Sequence, residues 1–464
     1  MNPDARRLWH SAAMVGAAVL CLWIAGSRQQ VLLDWRREAQ LTQADPLENL
    51  PPTAAFTTVA LGAFRGLIVD LLWLRSASLQ QEGRYFEMVQ LAEWITTLQP
   101  RFASIWAYHA WNLSYNVSVM FDSPEDRWRW VQHGIRLLRD RGLRFNPGSA
   151  TLYRELSWLF SHKIGENLDA AHETYKRAWA AEMEDALGSG TPDLEELAQA
   201  PTTREAWRQL PGAAELEREL LRRGINPLDE PQLRLEARNP ERTPLLDSPA
   251  GHALLAFLRA ARLREQERLD PARMLELDNR YGPLDWRAPS THALYWAVLG
   301  LPHARTEFER SSLNRQIFQS MTTAFLRGRI RFDPARNLLL QTPNPDLLPR
   351  VRATYEEALV RHRDESMRTS HANFLVDAAM ICLSFHREAT ARELHQELRR
   401  RYPDRVDAAF DRFVATTYIE FAGKSAQDPL REAVIHALIQ SRKSAAEQDA
   451  EQAAGYLRIA RILW

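Results

Sequence analysis

The segment Arg84-Tyr85-Phe86-Glu87-Met88-Val89-Gln90-Leu91-Ala92-Glu93-Trp94, closed by Thr97-Leu98-Gln99-Pro100, decides how the chain is read. Ala103 and Trp106 lie three and six residues after Pro100. The same frame returns at Asn146-Pro147, with Ala150 and Tyr153 at the same offsets. From Tyr153 it continues through Leu156, Ser157 and Phe160, then Ala171, Tyr175 and Ala178. A proline that ends one helix, an aromatic, and small residues where helices touch is how stacked helix pairs pack their neighbours. Pro289 and Tyr295 repeat the proline-to-aromatic offset, and Tyr402-Pro403 echoes it more faintly.

This pattern resembles the tetratricopeptide repeat (TPR) family. Tyr153, Leu156, Ser157 and Phe160 match the consensus Trp, Leu, Gly and Tyr of the first helix. Ala171, Tyr175 and Ala178 match the small, aromatic and small positions of the second, two residues late. Pro100 and Pro147 match the closing proline, but they stand 47 residues apart where the family has about 34. The extra length falls around Asn116 to Glu125. The resemblance implies an all-α chain, a TPR-like α-solenoid of antiparallel helix pairs whose concave surface binds other proteins. An irregular helical domain with TPR-like spacing is the plainer alternative.

At 464 residues the chain is long enough for two or three domains. Lys+Arg and Asp+Glu both number 59, so no global field favours nucleic acid or a membrane surface. Two cysteines, Cys21 and Cys382, exclude a disulfide framework. Of fifteen tryptophans, eight lie between Trp73 and Trp179, where they are expected to fill gaps between helices.

Leu8 to Gly26 is a run of 19 residues without a formal charge, preceded by Arg6 and Arg7. That approaches the ~20 residues a transmembrane helix needs. Signal peptides share the layout. Here Trp23 and Ile24 spoil a small-x-small cleavage site, and Leu20 before Cys21 does not suit lipidation, so an uncleaved anchor is expected. The short tail ahead of the run places the body outside the cytoplasm, in the periplasm if the cell is a Gram-negative bacterium. Ala54 to Leu74 is a second apolar stretch, which as a span would return the body to the cytoplasm. Arg65 and Asp70 would each cost about 2.5–3.5 kcal/mol there, so a buried helix opening the repeats is preferred.

Five segments follow: an anchor at 1–27, a polar tether at 28–54, TPR-like repeats at 55–183, a proline-rich connection with short helices at 184–250, and a second helical repeat-like region at 251–464. Within the repeats, Ser123-Pro124-Glu125-Asp126 has the chemistry of a helix start. Six arginines between 127 and 144 interleave with Trp128 and Trp130, as in a groove for single-stranded nucleic acid. Glu125, Asp126 and Asp140 offset that charge. A solvated face over buried tryptophans is the preferred reading, with no nucleic-acid partner.

Catalytic chemistry finds little purchase. The thirteen histidines form no HExxH pair, and neither cysteine sits in a metal-spaced cluster. GxSxG and GxGxxG are absent. Gly423-Lys424-Ser425 ends like a phosphate-binding loop, but Tyr418 stands where the first glycine belongs. Asp285 and Arg287, in a turn after Gly282-Pro283, are either a loop-fixing ion pair or the polar contacts of a ligand or partner. The expectation is a single-pass membrane scaffold or assembly factor that binds envelope proteins, without enzymatic activity, cofactor or metal. The rival is an envelope enzyme or a lipid- or glycan-binding protein, with a site between the two helical halves.

Overall fold

The computed structural model describes Met14, Gly16, Leu20 and residues 64–464, apart from 189–191, 230–231, 234–245, 334–335, 362–364, 407–408 and 423–427. These residues are mostly α-helical, with one two-stranded hairpin. They fall into two units, Met1–Ile68 and Val69–Trp464. In the first, Met14, Gly16 and Leu20 are helical and exposed. The rest of the run Leu8–Gly26, the segment 28–54 expected to be a tether, and Gly423-Lys424-Ser425 lie outside the described residues. Among the described residues, no helix is long and apolar enough to cross a membrane.

Helix α1 (Phe64–Gln81) takes up the second half of the apolar stretch 54–74. It is buried on one side only: Val69, Ser76 and Leu79 point inward, while Leu71 and Leu74 are 69% and 68% exposed. The described part of the stretch thus has one buried face and one exposed face. Helix α2 (Tyr85–Leu98) follows after Gly83, whose φ of 71° suits a residue without a side chain.

The first two frames build four long helices. Helix α3 (Ala103–Trp111) continues through a π-helical turn at Asn112–Val117, and α4 (Pro124–Arg136) through another at Leu137–Gly142. Helix α5 (Ala150–Trp158) runs on through Leu159–Ile164, also π-helical, and α6 is His172–Leu187. Ser123 caps α4 by accepting from the Asp126 amide, with Pro124 at the first helical position. Gly134 is needed where α4 crosses α3: a Cβ there would run into Ser114 Oγ and lie 2.9 Å from the Ala110 carbonyl. Neighbouring aromatics seal α6 to the layer beneath, Trp128 stacking on Tyr175 at 5.8 Å and Phe160 meeting Trp179 at 4.8 Å.

The proline-to-aromatic offset has a local cause in the first frame. Trp106 is fully buried and its indole N–H donates to the Pro100 carbonyl at 2.8 Å, which also accepts from Asn146 Nδ2. Proline leaves that carbonyl without a continuing helix, and the buried indole satisfies it. In the other frames the aromatic does different work. Tyr153 is half-buried and stacks on His303 at 5.4 Å, and the Tyr295 hydroxyl accepts from the Asp270 amide at 3.0 Å.

Between α6 and the next frame stand short helices α7 (Leu194–Gln199), α8 (Arg204–Arg208) and α9 (Ala213–Arg222). Longer helices α10 (Pro249–Arg262) and α11 (Pro271–Tyr281) follow. Trp207, Leu216, Leu220, Leu246, Leu254 and Phe257 form a small core of their own, so this module extends into α10 beyond residue 250. Helix α12 (Pro289–Gly300) then packs back onto α5. Ser157 Oγ donates to the Ala293 carbonyl at 2.8 Å, and a Cβ on Gly300 would lie 2.5 Å from Tyr153 Cβ. Tyr153 and Ser157 of the second frame thus meet a helix more than 130 residues away.

Helix α13 (Glu307–Arg327) opens with a capping box made by Thr306 and Glu309. It leads into β1 (Arg329–Asp333) and β2 (Leu338–Thr342), antiparallel with Arg329 opposite Thr342. Helices α14 (Leu348–Arg361), α15 (Glu365–Ser384), α16 (Glu388–Arg401), α17 (Phe410–Ala422), α18 (Pro429–Ala446) and α19 (Ala450–Leu463) complete the chain. One continuous core runs from Trp106 to Leu463.

Candidate functional site

The turn between α11 and α12 carries Asp285 and Arg287, and their charges are spent within the protein. Asp285 Oδ1 accepts from the Arg287 amide and Nε, both at 3.0 Å, and Oδ2 accepts from Nη2 at 2.9 Å and the Ile330 amide at 2.9 Å. Arg287 Nη1 donates to Glu184 at 3.0 Å and Nη2 to the Ile330 carbonyl at 2.8 Å. Together they tie α6, the turn and β1 to one another. Beside them is a cavity of about 230 Å³, where Arg329 pairs with Asp346 at 3.0 Å. Two lining residues keep a buried polar atom without a partner, Trp286 Nε1 and Asn344 Oδ1.

Other titratable groups lie deeper. His292 is fully buried, its Nε2 2.7 Å from the Trp286 carbonyl, and burial depresses its pKa to about 3. The neutral ring therefore donates from Nε2 and packs between Phe160 and Trp179. Lys163 donates to Asp169 at 2.5 Å, and Arg127 approaches the same carboxylate at 3.4 Å. Burial, assisted by Arg327, lowers Lys176 to about 8 while it donates to Asn167. These groups stitch the turn between α5 and α6; no cavity opens on them among those described.

Arg139 corrects the sequence reading, which places it on a solvated face. Only 7% of it is exposed, and Nη1 donates to Glu267 at 2.8 Å while Nη2 donates to the Gln266 carbonyl. The module between α6 and α12 folds over it, which no local pattern in 124–144 foretells.

Glu356, His371 and Glu397 converge closely enough to hold a metal ion. Two guanidinium groups already fill that role. Arg401 reaches Glu356 at 2.7 Å and Glu397 at 3.1 Å, Arg352 reaches Glu397 at 2.5 Å, and His371 Nδ1 is engaged by the Tyr402 hydroxyl at 2.9 Å. The cluster is an ion-pair network joining α14, α15 and α16.

A larger cleft, of about 570 Å³, opens where α11, α13, α14 and α15 meet. Arg280, Arg315, Arg350 and Arg361 line it against one acid, Glu357. Arg361 donates to Asn314 at 2.8 Å and lies 3.9 Å from Glu357, and among the described residues the Arg350 side chain donates only to the Asn279 carbonyl. Arg280 lies over the Tyr281 ring at 4.9 Å, and Arg315 makes no ion pair among the described residues. The walls between these cations are mixed, with Ile317, Phe318 and Ala358 beside Gln319, Thr354 and Ser370. Surplus cation over a mixed polar and apolar wall suits a carboxylate-bearing segment. Sequence reasoning does not single out any of these arginines, because along α11, α13 and α14 each reads as an ordinary solvated charge.

No protein-family model matches the chain, and no curated protein matches its sequence.

Proposed function

We propose that the chain is a membrane-anchored scaffold or assembly factor built on TPR-like helix pairs, and that it binds a partner protein through the arginine-lined cleft. The observation that carries this reading is the unbalanced charge of that cleft: four arginines face one glutamate, and three of the four make no ion pair among the described residues. Guanidinium groups converging from three helices recognise carboxylates, which a protein segment rich in Asp and Glu supplies. Stacked helices hold such groups rigidly and leave the cleft open to a segment rather than closing it around a small molecule. A catalytic site at Asp285 and Arg287 draws no support, since the charges there are paired among themselves.

The anchor belongs to the same reading and rests on the uncharged run Leu8 to Gly26. It would hold the scaffold at a membrane with its body outside the cytoplasm. The test is affinity capture of the detergent-solubilised full-length chain and of its Arg315→Glu, Arg350→Glu double variant, read by mass spectrometry. At least one protein should accompany the wild type and be lost from the variant, whose melting temperature should be unchanged. Identical sets of accompanying proteins would sink the cleft as the binding site.

A further inference from the structure

The far end of the stack is α18, packed on α17 and α19 through Ala433, Ala437 and Ser444. A terminal unit of stacked helices ordinarily turns a polar outer face to water, because no further repeat covers it. Helix α18 does the reverse. Ile435 and Ile439, 38% and 57% exposed, lie on the face opposite Ala437, with Leu438, 43% exposed, at its side.

Charge brackets this apolar face in a particular order. With 3.6 residues per turn, Glu432, Ile435, Ile439 and Arg442 form one stripe along the outer side. Counting outward from Ala437, Glu432 and Arg442 lie five residues away in opposite directions, and Ile435 and Ile439 two residues away. A second α18 laid antiparallel would therefore set Glu432 against Arg442, Ile435 against Ile439, and the same again by symmetry. Both charged residues are exposed, and neither forms an ion pair among the described residues. Arg431 and Lys443 are spaced for a like-charge clash, but they stand about 120° apart around the helix, against about 80° for Glu432 and Arg442, and so lie farther from the contact line.

We propose that two copies of this chain associate through α18, paired antiparallel about a two-fold axis at the level of Ala437. The stripe is self-complementary under that operation, as an isologous contact requires. A parallel pairing would oppose Glu432 to Glu432 and Arg442 to Arg442, so the charges select the antiparallel arrangement. One helix face of 18 residues is about 27 Å long. Two such faces bury less than a standard interface of about 1,200–2,000 Å², so the dimer dissociates in the micromolar range.

The test is sedimentation equilibrium of the detergent-solubilised full-length chain, whose monomer mass is 53.4 kDa. Between about 1 and 100 µM the wild type should pass from monomer toward twice that mass. Glu432→Arg and Arg442→Glu each place two like-charge contacts in the interface, and each should raise the dissociation constant at least about tenfold. Combining them restores both opposite-charge contacts and should bring the constant back to within about threefold of wild type. Helicity and melting temperature of all three variants should match the wild type. A monomer throughout the range overturns the proposal. So does a dimer indifferent to both single changes, or a double variant no tighter than the single ones.

Discussion

Arg139 Nη1 lies 2.8 Å from Glu267, a residue that is itself 4% exposed. Removing one partner of such a pair leaves the other charge buried and alone, at ~3–5 kcal/mol. We therefore expect Arg139→Ala to lower stability by that amount in a denaturant titration. Arg141→Ala, on a side chain that is half in water, should stay within about ±0.5 kcal/mol. Equal midpoints for the two variants would show that the buried pair contributes nothing. His292 supplies a pH dependence of defined sign. Its folded pKa of about 3 lies below the unfolded value near 6.5, so the unfolded chain takes up the proton first. The stability it contributes is complete above pH 6.5 and is lost as pH falls toward 3, at ~1.4 kcal/mol per unit. His109, lowered by burial to about 4, adds a parallel loss over a narrower range. Unfolding midpoints measured between pH 7 and 4 should fall less steeply for His292→Gln, whose side-chain amide can still donate to Trp286. An unchanged slope would mean the ring is accessible to protons in the folded state.

Two close contacts leave no room for an added group. Ala171 is 4% exposed at the opening of α6, and Gly300 faces Tyr153 across the contact of α12 with α5. Ala171→Leu and Gly300→Ala each overpack a filled contact, and each should cost ~1–3 kcal/mol in thermal unfolding. A melting temperature for Gly300→Ala equal to wild type would mean that α12 can shift away from α5 without loss. The module between α6 and α12 has its own core around Trp207, whose indole donates to the Ala250 carbonyl at 3.0 Å. Trp207→Ala should open that module, at ~3–5 kcal/mol locally, and leave the main core standing. Hydrogen exchange would then quicken in 194–257 but not in α3 to α5. Uniform quickening would mean that module and stack unfold together.

At the scale of the whole molecule, the anchor is the element on which location turns. We expect the full-length chain to remain with membranes through high-salt and carbonate washes, and a chain beginning at Gln29 to be released. If the shortened chain stayed bound, the exposed leucines of α1 would become the membrane contact instead. An export-dependent reporter fused after Trp464 should be active, and an inactive one beside an active cytoplasmic reporter would reverse the orientation.

Helix content, the frames at Pro100 and Pro147, the cap at Ser123 and the capacity of Trp106 and Tyr175 to fill a core are all legible in the sequence. Each depends on residues within about two turns of one another, where spacing translates directly into a shared face or a capped end. Partners in space are another matter. That Ser157 meets Ala293, that Arg139 is covered by Glu267, and that Arg280, Arg315, Arg350 and Arg361 surround one cleft depends on how helices far apart in the chain come together. An arginine on a solvated face and an arginine on a binding cleft have the same neighbours in sequence. Only the packing of α11, α13, α14 and α15 separates them, because the field at a charge is set by what lies within a Debye length in space rather than along the chain.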